Sequence, residues 1–392
     1  MVNAEDMVVA YRRRFAGSSP TVLVRAPGRV NLIGEHVDYN GGMVMPFAID
    51  RAVYAVAGPA GGDRVSVYST GPDALAEFDL HDIRRPAAGS WEAYPRGVAA
   101  ELLKVGAALR GAHLYLDNDL PVGAGLSSSA ALEMAVALSL LSVAGVALPR
   151  LEVSRACRRA EHNYAGVPCG IMDQLVCGLA EAGSVLLIDC RDERTELVPW
   201  PSEDVVLLVI DSRCRHKLSE GTYGERVRQC GSAVEHLRKA DSAIGSLRDA
   251  TPERLRECGS TMTGLILRRA RHVITEIDRT RAAAEAMRRG DFATLGRLMN
   301  ESHFSLRDDY EVSSRELDDL TDVVRRVPGV FGARLTGAGF GGCIVAIAPR
   351  QTVGAVETAV RKQYDTLYGV SAEVVVTAPC QGATVAAVPA QP

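Results

Sequence analysis

GRVNLIGEHVDYNGG, residues 28–42, places one arginine, two carboxylates, a histidine, a tyrosine and two asparagines in fifteen positions framed by glycines. Only Leu32 and Ile33 interrupt the polar groups with an apolar pair. A packed core does not call for so many hydrogen-bonding side chains. A polyhydroxylated ligand does, because each hydroxyl needs both a donor and an acceptor. The competing reading is a solvated loop rich in turn residues, and the companions of this stretch decide between the two.

The first companion is PVGAGLSSSAAL, 121–132. Gly123 and Gly125 permit close backbone approach to a ligand, and the serines stand where a long apolar helix begins. Unpaired N–H groups and the helix dipole at such a start attract an anion. No lysine follows the glycines, so this is not the GxxxxGK[ST] phosphate loop. Serine hydroxyls can also ligate magnesium, a cation that takes oxygen ligands and keeps several waters. The plainer alternative is a serine used as a helix N-cap, although three consecutive serines exceed what one cap requires.

The second companion is EHNYAGVPCGIMDQ, 161–174. Glu161 ends one helical segment and Asp173 starts the next, and the Gly166–Pro168 break can fold both carboxylates toward one cleft. Apolar neighbours (Ile171, Met172, Leu175) raise a carboxylate pKa, whereas a nearby arginine or Mg²⁺ lowers it. Either suits a group that holds or accepts a proton. Taken alone, Asp173 also reads as a capping aspartate.

The third is LTGAGFGGCIVAI, 335–347. Gly337, Gly339 and Gly342 satisfy GxGxxG formally. A dinucleotide site needs a helix directly after the loop, and CIVAI continues as a strand. A tight glycine turn between two strands, lying against the nucleotide loop or the substrate, fits instead.

The whole chain sets the frame. Its 392 residues suffice for two domains, and 47% apolar with 23% charged residues is a globular composition. No apolar run approaches the ~20 residues of a membrane span, and MVNAEDMVVAYRRRF lacks the pattern of a secretory signal. The nine cysteines are scattered singly, which points to reduced thiols and a cytoplasmic protein. A net charge of −4 argues against nucleic acid as a partner. Short basic runs such as Arg12–Arg14 and Arg268–Arg271 read as solvated helix faces.

Periodicity predicts strands near 21–26, 44–57, 64–68, 112–118, 184–189, 205–211 and 373–377. A strand–loop–strand unit is expected over 331–348. Helices are expected over 91–110, the segment after 125, 150–164, from about 170, and near 222–240, 252–270, 272–289 and 291–302. Mixed order in both halves implies two α+β domains with a cleft between them.

Taken together, the three blocks resemble the motifs of the superfamily named after galactokinase, homoserine kinase, mevalonate kinase and phosphomevalonate kinase, and within it the galactokinases. CGIMDQ (169–174), DSRCRHKLSEGTYGERVRQC (211–230) and SLRDDYEVS (305–313) resemble the same family in order and spacing. The resemblance implies the family fold: an S5-like N-terminal domain (1–195), a ferredoxin-like C-terminal domain (196–380) and the active site in the cleft between them. Residues 381–392, small and Pro-tipped, are expected to be a mobile tail.

It further implies transfer of the γ-phosphoryl group of ATP to the anomeric hydroxyl of a galactose-type sugar, with Mg²⁺. By position Arg29 and Asp173 match the catalytic pair. Glu35, His36, Asp38, Gly170 and Tyr223 match sugar-binding positions. Gly123, Ala124, Gly125, Leu126, Ser127, Ser128 and Ser129 match the phosphate loop, and Trp91 an aromatic flanking the adenine, with a partly buried core tryptophan as its alternative. Ser129 and Glu161 match the Mg²⁺-linked positions. The expected partners are galactose and ATP, not nucleic acid or membrane, in a monomer or weak homo-oligomer.

Two positions depart from the family pattern. Val37 stands where galactokinases usually have Thr; N-acetylgalactosamine kinases carry an apolar β-branched residue there, although Asp38-Tyr39-Asn40 follows the galactokinase pattern. SSRE at 313–316 replaces the usual Ser-Cys-Pro-Glu. Two other readings remain: a kinase of a neighbouring sugar, such as N-acetylgalactosamine, arabinose or a uronic acid, and a non-catalytic sensor binding sugar and ATP. Such sensors lack residues of the serine loop, which is intact here from Ser127 to Ala131.

Overall fold

A computed structural model describes residues 2–121, 125–215 and 219–388; the side chains of 215 and 219–223 lie outside the described part. Helix α1 (Ala4–Arg14) leads into β1 (Val22–Asn31), a short β2 (Met43–Val44), the long β3 (Pro46–Pro59), and the hairpin β4 (Arg64–Ser69) and β5 (Ala74–Asp79). Then come α2 (Ala93–Lys104), β6 (Ala112–Asn118), α3 (Ser128–Ala144), α4 (Arg150–Ala160), α5 (Met172–Leu179), β7 (Ser184–Asp189) and β8 (Arg194–Pro199).

The second half runs through β9 (Val205–Arg215), α6 (Ser219–Ala240), α7 (Pro252–Cys258), α8 (Gly264–Arg288), α9 (Phe292–Asp308) and α10 (Arg315–Arg325). It closes with β10 (Gly332–Thr336), β11 (Gly341–Pro349), α11 (Val353–Ala359), β12 (Glu373–Thr377) and β13 (Thr384–Ala387).

Three sheets result. The first has the order β13-β1-β3-β6-β4-β5, the second β10-β11-β9-β12, and a small third β2-β7-β8. Among the described residues only the β4–β6 pairing is parallel; the other pairings are antiparallel. One apolar cluster joins the first sheet to α3 through Val24, Phe47, Leu116 and Met134, all fully buried or nearly so. Helix α3 is apolar all round because it is buried all round. A second cluster lies between the β9–β11 sheet and α6, α8 and α10. The chain is thus a two-domain α+β protein.

Four details differ from the sequence expectation. The tail is not wholly loose: Val22–Arg25 pair with Ala387–Thr384, so β13 returns from the second half to edge the first sheet. The boundary expected at 195/196 falls within β8 (Arg194–Pro199). Helices expected over 252–270 and 272–289 are instead a short α7 and a 25-residue α8. The break falls at 259–263 because the Thr263 side chain caps α8 by accepting from Ile266 N–H. Strand β5 is exposed at alternate positions and β8 at most of its positions, so both carry little apolar signal.

Candidate active site

Strand β1 delivers the first residue of the site. Its register with β3 shifts between Pro27 and Arg29, a bulge that re-aims the following side chain. Gly28 is required there, since a Cβ would press on Leu120 and on the Leu126 carbonyl. Arg29, 6% exposed, then donates from Nε to Asp173 Oδ1 (2.7 Å), from Nη2 to Asp173 Oδ2 (2.8 Å) and from Nη1 to the Gly125 carbonyl (2.7 Å). Burial opposes the guanidinium charge, but the adjacent Asp173 carboxylate outweighs it and raises the Arg29 pKa.

Asp173 lies in the first turn of α5 but does not cap it; Ile171 is the cap residue. A third donor, Ser127 Oγ, reaches Asp173 Oδ2 at 2.5 Å. Ser127 precedes α3 in the left-handed region (φ 58°) and makes no side-chain cap. Its hydroxyl is turned to the carboxylate and away from its own helix. The plain N-cap and capping-aspartate readings are therefore both replaced by one shared cluster. Leu126 is buried, with its carbonyl accepting from Arg29 N–H, and Ser128 opens α3.

The polar stretch at 28–42 contributes another part of the cavity wall. Glu35 is 2% exposed and bridges the domains: Oε1 accepts from Thr336 Oγ1 (3.0 Å) and Gly337 N–H (2.7 Å), and Oε2 from Asn31 Nδ2 (3.0 Å). Arg334, fully buried, adds its charge 3.4 Å from Glu35 and donates to the Asn31 and Leu32 carbonyls. His36 holds a left-handed backbone (φ 61°). Desolvation and the neighbouring His272 push its pKa down to about 3, so the ring is neutral.

Asp38 is pushed up to about 7 by desolvation and by the nearby Asp173 carboxylate. Gly170 lies directly against Asp38, and an added Cβ would displace the Asp38 carboxyl. Gly337 lies against Gly125, so the third glycine block closes over the serine loop as a turn between β10 and β11.

Arg29, Glu35, His36, Asp38, Glu161, Gly170 and Asp173 line one cavity of about 560 Å³, the size of a small-molecule site. Glu161 sits in a π-type turn, 161–165, that widens the end of α4. It hydrogen-bonds Ser129 and accepts from Gln174 Nε2 (2.7 Å) and Cys169 Sγ (3.2 Å). Burial and then Asp173 raise its pKa. Gln174 Nε2 also donates to Glu133 (3.1 Å), fully buried on α3. Three carboxylates, Glu133, Glu161 and Asp173, thus gather at one end of the cavity.

Trp91 does not reach the cavity wall; it packs partly buried on the first apolar cluster, while Tyr94 and Gly89 line the cavity. Gly123, Ala124 and the side chain of Tyr223 lie outside the described residues. Val37 is fully buried in the second apolar cluster and is not part of the cavity wall.

Several site residues escaped the sequence reading. Thr336 lay within the third glycine block and was legible there. His272 and Glu276, four apart on the apolar face of α8, carried a signal in being polar among Val273, Ile274 and Ile277. His272 Nε2 meets the Glu35 carbonyl at 3.1 Å and Glu276 accepts from Gly34 N–H at 3.0 Å, so both pin the sugar-type loop. Desolvation opposes ionisation of Glu276, but Arg279, His272 and Arg334 prevail and hold its pKa down at about 2.

Comparison with known proteins accords with this geometry. The chain matches the galactokinase galactose-binding signature over residues 9–59, the GHMP kinase N-terminal domain over 93–181 and the GHMP kinase C-terminal domain over 283–366. It is 46% identical to the galactokinase of Chloroflexus aurantiacus over 91% of this chain and 90% of that protein. To human galactokinase it is 42% identical over 86% of each. A crystal structure of Lactococcus lactis galactokinase complexed with galactose superposes with a TM-score of 0.93 at 32% identity, covering 97% of this chain and 99% of that one. A mevalonate kinase at 18% identity and TM-score 0.65, covering 91% of this chain and 98% of that one, shares the fold. The chain belongs to the galactokinase family.

Proposed function

We propose that the protein transfers the γ-phosphoryl group of ATP to the anomeric hydroxyl of D-galactose, giving α-D-galactose 1-phosphate and ADP. The observation that carries this reading is Asp173, bound by Arg29 and Ser127 in a cavity that the polar stretch at 35–38 also lines. Asp38, Glu35, His36, Gly170 and Tyr223 hold the sugar hydroxyls. Asp173 accepts the hydrogen bond of the anomeric O–H and takes its proton as the sugar oxygen bonds to the γ-phosphorus and the bond to the β-phosphate oxygen breaks. Arg29 keeps Asp173 in place and offsets charge on the transferring group. Positioning and electrostatics supply most of the rate in such transfers.

Residues 123–129 cradle the phosphates at the start of α3, where helix N–H groups favour anions. Ser129 and Glu161 fit a Mg²⁺ ion: both offer oxygens, and burial together with the Asp173 carboxylate raises the Glu161 pKa, a cost to its charged form that a cation relieves. When bound, the ion neutralises phosphate charge. Trp91, partly buried against the first apolar cluster, flanks the adenine, and Tyr94 is an aromatic on the cavity wall. All nine cysteines stand outside disulfides, and no helix among the described residues is long and apolar enough to cross a membrane; the reduced cysteines support a cytoplasmic setting.

The test is ADP release by the purified protein with ATP, Mg²⁺ and a panel of sugars. Galactose is expected to give the highest kcat/KM, with the product phosphate on C1 by NMR. Turnover with N-acetylgalactosamine, arabinose or a uronic acid and none with galactose would overturn the assignment.

A further inference from the structure

Behind the sugar side of the cavity runs a buried chain of hydrogen bonds. His36 Nε2 meets the Ala338 carbonyl at 3.2 Å, and Nδ1 meets the Tyr39 hydroxyl at 2.9 Å. Tyr39 continues to the Tyr310 hydroxyl at 2.7 Å, and Tyr310 to Cys230 Sγ at 3.2 Å. Tyr310 is fully buried and Cys230 2% exposed. Each donor direction follows from the first contact. A carbonyl only accepts, so Nε2 carries the ring proton and Nδ1 is the acceptor. Tyr39 O–H then donates to Nδ1, Tyr310 O–H to Tyr39, and Cys230 S–H to Tyr310. A chain running one way strengthens each of its members.

Tyr310 is itself firmly placed. Its carbonyl accepts from Arg226 Nε (2.9 Å), its N–H donates to Ser305 O (2.9 Å), and its ring lies 4.9 Å from that of His36 and 4.6 Å from that of His272. The left-handed backbone at His36 requires such support from its surroundings.

We propose that Tyr310, acting through Tyr39, is a positioning residue for sugar binding: the Cys230–Tyr310–Tyr39 chain holds the His36 ring in one orientation, with Nδ1 accepting from Tyr39 while Nε2–H donates to the Ala338 carbonyl on the cavity wall. The proposal rests on the reading that this cavity holds the sugar. Tyr310 is not among the residues lining the cavity, and its effect passes through the His36 ring.

The test uses Tyr310→Phe and Tyr39→Phe, which keep the rings and delete one hydroxyl each. In Tyr310→Phe the KM for galactose is expected to rise about five- to tenfold, the worth of one buried hydrogen bond, with kcat and the KM for ATP within about twofold of wild type. The double variant is expected to equal Tyr39→Phe alone, because the two act in series. Nitrogen NMR of the His36 ring in the full-length protein is expected to show an unprotonated, hydrogen-bonded Nδ1 in the wild type and a shift of that Nδ1 resonance, as its hydrogen bond is lost or loosened, in either variant. A galactose KM within twofold of wild type, a parallel loss of kcat, or additive effects would overturn the proposal. If Tyr310→Phe does not fold, Tyr39→Phe alone has to meet the same KM and NMR expectations. A wild type inactive on galactose would overturn the sugar assignment instead, and the NMR signature would still decide the relay.

Discussion

Arg29 grips Asp173 with two parallel hydrogen bonds, 2.7 and 2.8 Å, from a strand bulge to the first turn of a helix 144 positions further along the chain. The fork fixes both the position and the plane of the carboxylate. Asp173→Asn keeps the shape but loses the acceptor and most of the attraction for Arg29. Its kcat is expected to fall by at least about a thousandfold, the scale of losing an electrostatic or proton-transfer group, while galactose still binds by calorimetry. Near-normal turnover would remove Asp173 from the chemistry. Arg29→Ala is expected to lower kcat more than it raises KM; the reverse pattern would make Arg29 a ground-state binder.

Ser127 separates a hydroxyl effect from a backbone effect. Its left-handed φ of 58° disfavours any side chain, and its Oγ donates to Asp173 at 2.5 Å. Ser127→Ala and Ser127→Gly both delete the donor, so both should lose about tenfold or more in kcat. Glycine also removes the left-handed penalty, roughly 1 kcal/mol. The Gly variant should therefore melt at a higher temperature than the Ala variant while being equally slow. Equal melting temperatures, or a Gly variant as fast as wild type, would contradict this division.

Much of the site was legible because its residues sit in dense local blocks. Arg29, Glu35, His36 and Asp38 share ten positions, and the Gly166–Pro168 break does bring Glu161 and Asp173 to one cavity. Apolar periodicity likewise located β3, β6, β9 and α3, which are buried on one or both faces. What stayed hidden depends on distant pairings. Arg334 and Glu276 reach the sugar-type loop from about 300 and 240 positions away, and no local pattern encodes such partners. Strand β13, wholly exposed in side chain, is specified by backbone bonds to β1 that leave no hydrophobic trace. Trp91 packs partly buried against the first apolar cluster, an arrangement that its residue type allowed beside adenine stacking.

Val37 bears on sugar choice only through its surroundings. It is fully buried in an apolar cluster, and Gly42 leaves the room that Val37 and Ile277 fill. Val37→Thr restores the residue usual in the family but puts a hydroxyl into this packing. A destabilisation of about 1–2 kcal/mol is expected in urea melts, with the ratio of kcat/KM for galactose over N-acetylgalactosamine within about twofold of wild type. A change of tenfold or more in that ratio would make Val37 a specificity residue despite its burial.

Asp38 gives the site a pH signature. Its pKa in the folded protein, about 7, exceeds the ~4 of an unfolded chain. Between those values the folded state holds a proton that the unfolded state has released, so stability from this group is full below pH 4 and is lost as pH rises through 7. His36 and His272, pushed down to about 3 and 4, act in the opposite sense: their contribution is present above about 6.5 and is lost on acidification. Subtracting an Asp38→Asn series cancels the histidines and the rest of the protein to first order. From pH 5 to pH 7.5 the variant should gain on the wild type by about 1–2 kcal/mol in urea-derived unfolding free energy, less than the full shift implies because Asp38 is only partly shielded from solvent. A difference that stays flat across this range would mean that Asp38 is ionised throughout. It would then face the sugar as a permanent acceptor, not as a group that shares its proton.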